Sequence, residues 1–168
     1  FTVVEVDPHD RNKGITEPYE IEGYTRFTFP GRNGNYSDFQ WSWEHFSATD
    51  YNHRDNKDAI YVIQGENKGI DTEDRSVSHE FANFDYLMFN DIDYKHPEVQ
   101  AETKRWISWF IRETGVDGIR LDAIKHINDW FVKDLVDHVR GEFGEDFYVV
   151  GEYWYYDEMA IDEYLHNV

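Results

Sequence analysis

From Pro97 onward the chain alternates helix-like and strand-like segments, which restricts it to folds built on parallel strands. Pro97 suits the first turn of a helix. Val99, Trp106, Ile107 and Phe110 recur at helical spacing, and Gly115 ends the run as a C-cap. GVDGIRLDA follows, with Ile119 and Leu121 in a short buried strand. A second helix takes its apolar face from Ile127, Phe131, Leu135, Val139 and Phe143, opened by Asn128 or Asp129 and closed by Gly144. Residues 147–150 form a continuous apolar run, expected to be a strand buried on both faces, and 159–165 start a further helix. Strand, helix and strand with short links make a βαβ unit, so the strands should run parallel, with chemistry at their C-terminal ends. Each of those ends carries an acid: Asp122 closes the first strand and Glu152 the second.

Alone, Asp122 reads as a cap for the helix that follows. Its neighbours point elsewhere. Arg120 lies two residues earlier, on the same strand face, where a guanidinium keeps a carboxylate ionised and oriented. Lys125 and His126 follow at the same rim, and Tyr153 and Trp154 set an aromatic wall beside Glu152. Hydrolysis of a glycosidic bond by the retaining route needs this inventory. One carboxylate attacks, a second delivers and removes a proton, and the two stand roughly 5–5.5 Å apart.

Residues 1–96 read as irregular and strand-rich. The segment 19–29 alternates as a half-buried strand should, stops at Pro30-Gly31, and is followed by turn residues Arg32 to Asn35. A second short strand is expected at 59–63. Long polar stretches such as 65–79 suit loops held by something, a bound ion among the options. The formal charge of −19 disfavours nucleic acid and anionic membrane surfaces, both of which are bound through Lys and Arg. With no cysteine, disulfides and thiolate chemistry are excluded. No apolar run reaches membrane-spanning length. The chain opens without Met in strand-like sequence, so the lack of a leader pattern leaves the compartment open between secreted and cytoplasmic. Of the six Trp, 12 Tyr and 12 Phe many must serve the core, while Trp and Tyr in such number also suit sugar faces.

The stretch Gly118-Ile119-Arg120-Leu121-Asp122-Ala123-Ile124-Lys125-His126-Ile127 resembles the second signature region of the α-amylase family, glycoside hydrolase family 13. Val149-Val150-Gly151-Glu152-Tyr153-Trp154 resembles the third. The stretches Phe29 to Arg32, Tyr36 to Phe39, Trp41 to Trp43 and Asn83 to Met88 resemble the bacterial liquefying α-amylases, so the likeness runs over nearly the whole chain. It implies an α/β fold that is part of a (β/α)8 TIM barrel, about two βα units of it. An irregular, β-rich domain B would occupy mainly 1–96, with the partial barrel at 97–168. It further implies a retaining endo-hydrolase of α-1,4-glucosidic bonds in starch and maltooligosaccharides. Asp122 would be the nucleophile, Glu152 the acid/base and Arg120 the nucleophile's support, with Lys125, His126 and Trp154 lining the sites for the leaving glucan.

The resemblance also implies calcium. Asp85, Asp91 and the backbone carbonyl of His126 match ligands of the ion that ties domain B to the barrel. From the residues alone, Asp85, Asp91 and Asp93 read as a solvated acidic loop. Liquefying amylases often hold further metals. Here two of those positions are Ser47 and Lys95, while Asp74 and Asp93 remain as weaker candidates, so one calcium is expected, with Lys95 as a built-in cation.

The resemblance does not extend to the family's third catalytic Asp, from a His-Asp signature late in the barrel, or to its Asp-x-x-x-x-His region that precedes the matched ones. Two βα units cannot close a barrel, so the expectation is an internal segment of a longer enzyme, inactive alone and with exposed sheet edges. The alternatives are an α-glucosidase or transglycosylase of the same family, and a carbohydrate- and calcium-binding piece without turnover. A nucleotide-binding βαβ fold lacks its Gly-rich loop. Oligomeric state is open.

Overall fold

The computed structural model describes residues 1–71 and 74–168, a mixed α/β chain that divides into two compact units. The first comprises Phe1–Asp74 and His79–Asp93; the second comprises Arg75–Ser78 and Tyr94–Val168.

The first unit is an antiparallel sheet of β1 (Thr2–Asp7), β2 (Asp10–Gly14), β3 (Tyr19–Glu20), β4 (Phe46–Asn52), β5 (Lys57–Ile63) and β6 (Asp91–Ile92), ordered β2-β1-β5-β4-β6 with β3 also on β1. The valines of TVVEVD are buried on both faces of β1, which fits its inner position. Strands β4 and β5 form a hairpin whose turn carries Asn56 at φ 50°, a left-handed conformation that Asn tolerates. Val3, Ile21, Phe46, Tyr61 and Ile63 make the core, with Phe27, Trp41 and Trp43 packed against it.

The strand expected over 19–29 is cut to Tyr19–Glu20, and farther on only Phe27 bridges to Trp41. Backbone geometry accounts for this. Gly23 is pressed against Phe1, where a Cβ would sit 2.7 Å from the ring, and Phe29 is left-handed at φ 44°. Between those breaks the aromatic side chains pack on one another: Tyr24 meets Phe27 edge-on at 5.2 Å, and Phe27 stacks on Phe29 at 6.0 Å.

The second unit runs α1 (Pro97–Thr114), β7 (Gly118–Leu121), α2 (Asp129–Phe143), β8 (Tyr148–Gly151) and α3 (Glu158–Asn167). Helix α1 starts with Pro97 at its first turn, its His96 side chain accepting from the Glu98 N–H, and ends on Gly115 at φ 65°. Its buried stripe is Val99, Ile107, Ser108 and Ile111. Trp106 is a correction: it sits one residue round from that stripe, is 46% exposed, and stacks on Phe110 at 5.7 Å. Helix α2 buries Phe131, Val132, Leu135, Val136 and Val139 and is capped from outside. The Ser76 carbonyl accepts from the Asp129 N–H at 2.8 Å, and the Asn128 amide donates to the Ser76 hydroxyl at 2.7 Å.

Strands β7 and β8 are parallel, with Leu121 opposite Gly151. The expectation that 147–150 is buried on both faces is corrected: Tyr148 is 65% exposed and Val150 42%. In a two-stranded sheet, alternation sends Val149 toward Ile124, Val132, Val136 and Tyr164 and leaves its neighbours on the open face. Among the described residues, no helix is long and apolar enough to cross a membrane.

Candidate functional site

The register of β7 on β8 sets the geometry at their C-terminal ends. The ladder continues past both strands: the Glu152 N–H donates to the Leu121 carbonyl at 2.8 Å, and the Ile124 N–H donates to the Glu152 carbonyl at 3.0 Å. Between these bonds Ala123 adopts φ 52°, ψ 37°, left-handed backbone that costs a non-glycine residue of order 1 kcal/mol. That reversal ends the strand at Asp122 and starts the short 3-10 turn Ile124–His126. Asp122 therefore lies before the left-handed residue and does not cap α2, whose N-cap is Asn128. Gly151 is tightly enclosed, because a Cβ there would run into the Ile124 side chain.

One guanidinium serves both acids. Arg120 Nη2 lies 3.1 Å from Asp122 Oδ1 and 3.2 Å from Glu152 Oε1. The same-face placement expected of residues 120 and 122 thus takes the form of a direct ion pair that also reaches the neighbouring strand. The two carboxylates differ in setting. The Asp122 side chain is 78% exposed, whereas that of Glu152 is 31% exposed, with Oε2 accepting from the Ala123 N–H at 3.4 Å. Lys125 Nζ stands 5.8 Å from the Tyr155 ring, and the Lys125 carbonyl accepts from the Ser78 N–H at 2.9 Å. His126 is buried in the 3-10 turn. Trp154 and Tyr156 are widely exposed, while Tyr153 turns inward onto Tyr164. Carboxylates joined by a cation and bordered by open aromatic rings suit a neutral, hydroxyl-rich ligand.

The first unit gathers a second set of acids. Asp91 lies on β6, paired with β4, and accepts from the Ser47 hydroxyl. Burial pushes its carboxyl well above the usual range, Asp85 pushes it further, and Asp93 adds to the effect, while the Ser47 hydrogen bond opposes them. Asp85, Asp91 and Asp93 are therefore close neighbours. A desolvated carboxylate crowded by others is an arrangement that a hard cation relieves, so this donor set fits calcium. Asp74 is half-buried in the segment after residues 72 and 73, and His126 belongs to the second unit.

At Asp93 the Lys68 ammonium forms an ion pair in which both side chains are largely buried. Lys68 gave no sequence signal, because it sits in a polar turn without periodicity. Arg11 was equally silent: it lies over the rings of Phe81, Phe84 and Tyr86 and donates to the Tyr86 carbonyl, bracing the loop that bears Asp85.

A family described as Alpha amylase, catalytic domain, matches residues 72–168. The chain is 48% identical over 166 residues to the alpha-amylase of Bacillus licheniformis, which covers 99% of this chain and 31% of that protein. Against the alpha-amylase of Geobacillus stearothermophilus it is 43% identical over 162 residues, 96% of this chain and 29% of that one. Against the glucan 1,4-alpha-maltohexaosidase of Bacillus sp. (strain 707) it is 44% identical over 163 residues, 96% and 31% of the two chains. The chain thus spans about a third of the length of these curated relatives.

Proposed function

Because this chain belongs to the alpha-amylase catalytic-domain family, we propose that the protein carrying it is a retaining endo-hydrolase of α-1,4-glucosidic bonds, acting on starch and maltooligosaccharides. The observation that carries this reading is the pair of acids at the ends of adjacent parallel strands, Asp122 and Glu152, bound to one guanidinium. Asp122 is the nucleophile and Glu152 the general acid/base. As the Asp122 carboxylate attacks the anomeric carbon, Glu152 gives its proton to the glycosidic oxygen, and the bond to the leaving glucan breaks. The sugar is then held as an ester on Asp122. Water enters, Glu152 takes its proton, and attack at the same carbon releases Asp122 as the carboxylate. Two inversions restore the α configuration. Arg120 orients Asp122 throughout, and Lys125, His126 and Trp154 line the leaving-group side.

In this reading 97–168 is a part of a (β/α)8 barrel and 1–96 is mainly its inserted domain B. A single calcium ion is held by Asp85 and Asp91, and the sequence resemblance implies the His126 carbonyl as a further ligand. Bound there, the ion supplies positive charge and oxygen coordination to acids that otherwise repel.

The test is a starch digest by the full-length protein, followed by NMR before mutarotation. We expect the α-anomer to appear first, and iodine staining to collapse well before reducing ends reach their plateau. First release of the β-anomer would exclude the retaining mechanism. Glucose released only from chain ends would make it an α-glucosidase, transfer products a transglycosylase, and glucan binding without turnover a binding protein. Calcium makes a separate expectation. Stripping the ion with a chelator should cost about 4 kcal/mol of stability relative to calcium at about 1,000 times its Kd. Calorimetry with metal analysis checks this, and an unchanged melting temperature would rule the ion out.

A further inference from the structure

We propose that the Lys68 ammonium is a built-in cation that takes, beside Asp93, the place a second metal ion would otherwise fill. The inference deepens the calcium reading above and rests on it only for the number of ions bound.

Lysine in a surface turn normally leaves its charge in water. Lys68 does the reverse. It closes the turn in which Gly65 bridges to it, yet its side chain is 9% exposed and its partner, the Asp93 carboxylate, is 11% exposed. Besides the ion pair, Nζ donates to the Phe46 carbonyl at 3.1 Å. Those two oxygens come from different strands: Phe46 opens β4, and Asp93 directly follows β6, where its N–H donates to the His45 carbonyl at 3.0 Å. The ammonium therefore joins a turn, a strand start and a strand end through a carboxylate and a carbonyl, the donor types that hard cations take. Its position also matters for charge, since Asp85 and Asp93 both lie close to Asp91. Neighbouring Ser47 offers Asp91 a hydroxyl proton and adds no fourth carboxylate. One tethered positive charge at Asp93 neutralises that acid and opposes entry of a further divalent ion. Burying such a pair is favourable only when its geometry is fixed, so removing Lys68 takes one positive charge from a buried carboxylate, and a small cation can supply it in its place.

The experiment compares the full-length parent with Lys68→Met and Lys68→Arg. Bound metal is counted after equilibrium dialysis, and unfolding is followed calorimetrically in cation-free buffer and in millimolar Na⁺ or Ca²⁺. The parent should bind one calcium ion. Lys68→Met should lose about 5 °C or more in melting temperature, regain at least half of it on adding a small cation, and hold one more ion than the parent. Lys68→Arg, which keeps the charge, should track the parent in both readouts. A Lys68→Met protein whose lost stability no cation restores, or whose melting temperature does not change, would overturn the proposal. If Lys68→Met does not fold, the parent's count decides: one ion supports the proposal and two overturn it. A parent that binds no calcium would sink the preceding calcium reading and leave Lys68→Met against Lys68→Arg to judge this one.

Discussion

Replacing Asp122 by Asn in the full-length protein should lower kcat on starch by about 10³-fold or more while leaving the fold as stable as before. The two halves of that expectation rest on different observations. Asp122 stands after the last β7 residue, its side chain 78% exposed, and its ion pair is with an Arg120 side chain that is 61% exposed. An exposed pair of this kind contributes within about 1 kcal/mol, and an Asn oxygen still accepts from the guanidinium. What Asn cannot do is attack a carbon and carry the sugar as an ester. Reducing-end release gives the first number and calorimetry the second. Undiminished turnover would remove Asp122 as nucleophile. A joint fall of turnover and melting temperature would make its role one of support.

Glu152→Gln should fail in a different way. On starch the loss should be about 10²- to 10⁴-fold, because the leaving oxygen departs without a proton. On an aryl maltoside whose phenol leaves unaided, bond cleavage should stay near the parent's rate and the ester on Asp122 should accumulate, visible as a burst followed by slow turnover. The substitution is mild for the structure. The register of Glu152 is set by backbone bonds to Leu121 and Ile124, and Gln keeps an oxygen for the Ala123 N–H. Asp122→Asn should show no burst on either substrate. If both variants lose the activated substrate equally, the division of labour between the two acids is wrong.

The site in the second unit was legible because its logic is local. Strand register follows from the alternation of helix and strand, and the acids sit at fixed offsets from it, so Arg120, Asp122 and Glu152 meet as spacing requires. Helix ends were legible for the same reason: Pro97, Gly115 and Gly144 act through their own backbone. Orientation was harder. Trp106 and Phe110 fit the helical period, yet a shift of one residue turns both rings away from the stripe of Val99, Ile107 and Ile111. In the first unit, tertiary contacts decide. Nothing in 19–29 announces that Gly23 must pass under Phe1 or that Phe29 turns left-handed, and these contacts end the strand. Lys68 finds Asp93 across 25 residues without a motif to mark the meeting.

The Ser76 clasp on helix α2 sets an order of events for folding. The first turn of α2 is satisfied by a residue 52 positions earlier in the chain, from the short segment Arg75–Ser78 that belongs to the second unit while the residues on either side belong to the first. Closing so long a loop costs entropy before any bond repays it, so the clasp forms late relative to the helix it caps. During refolding α1 and α2 remain fluctuating helices until residues 75–78 dock, and the rim bearing Lys125, whose carbonyl takes the Ser78 N–H, becomes rigid only then. Catalytic competence should therefore lag behind helix formation in refolding, and a proteolytic nick at 75–78 should loosen the rim while sparing most of the helical signal.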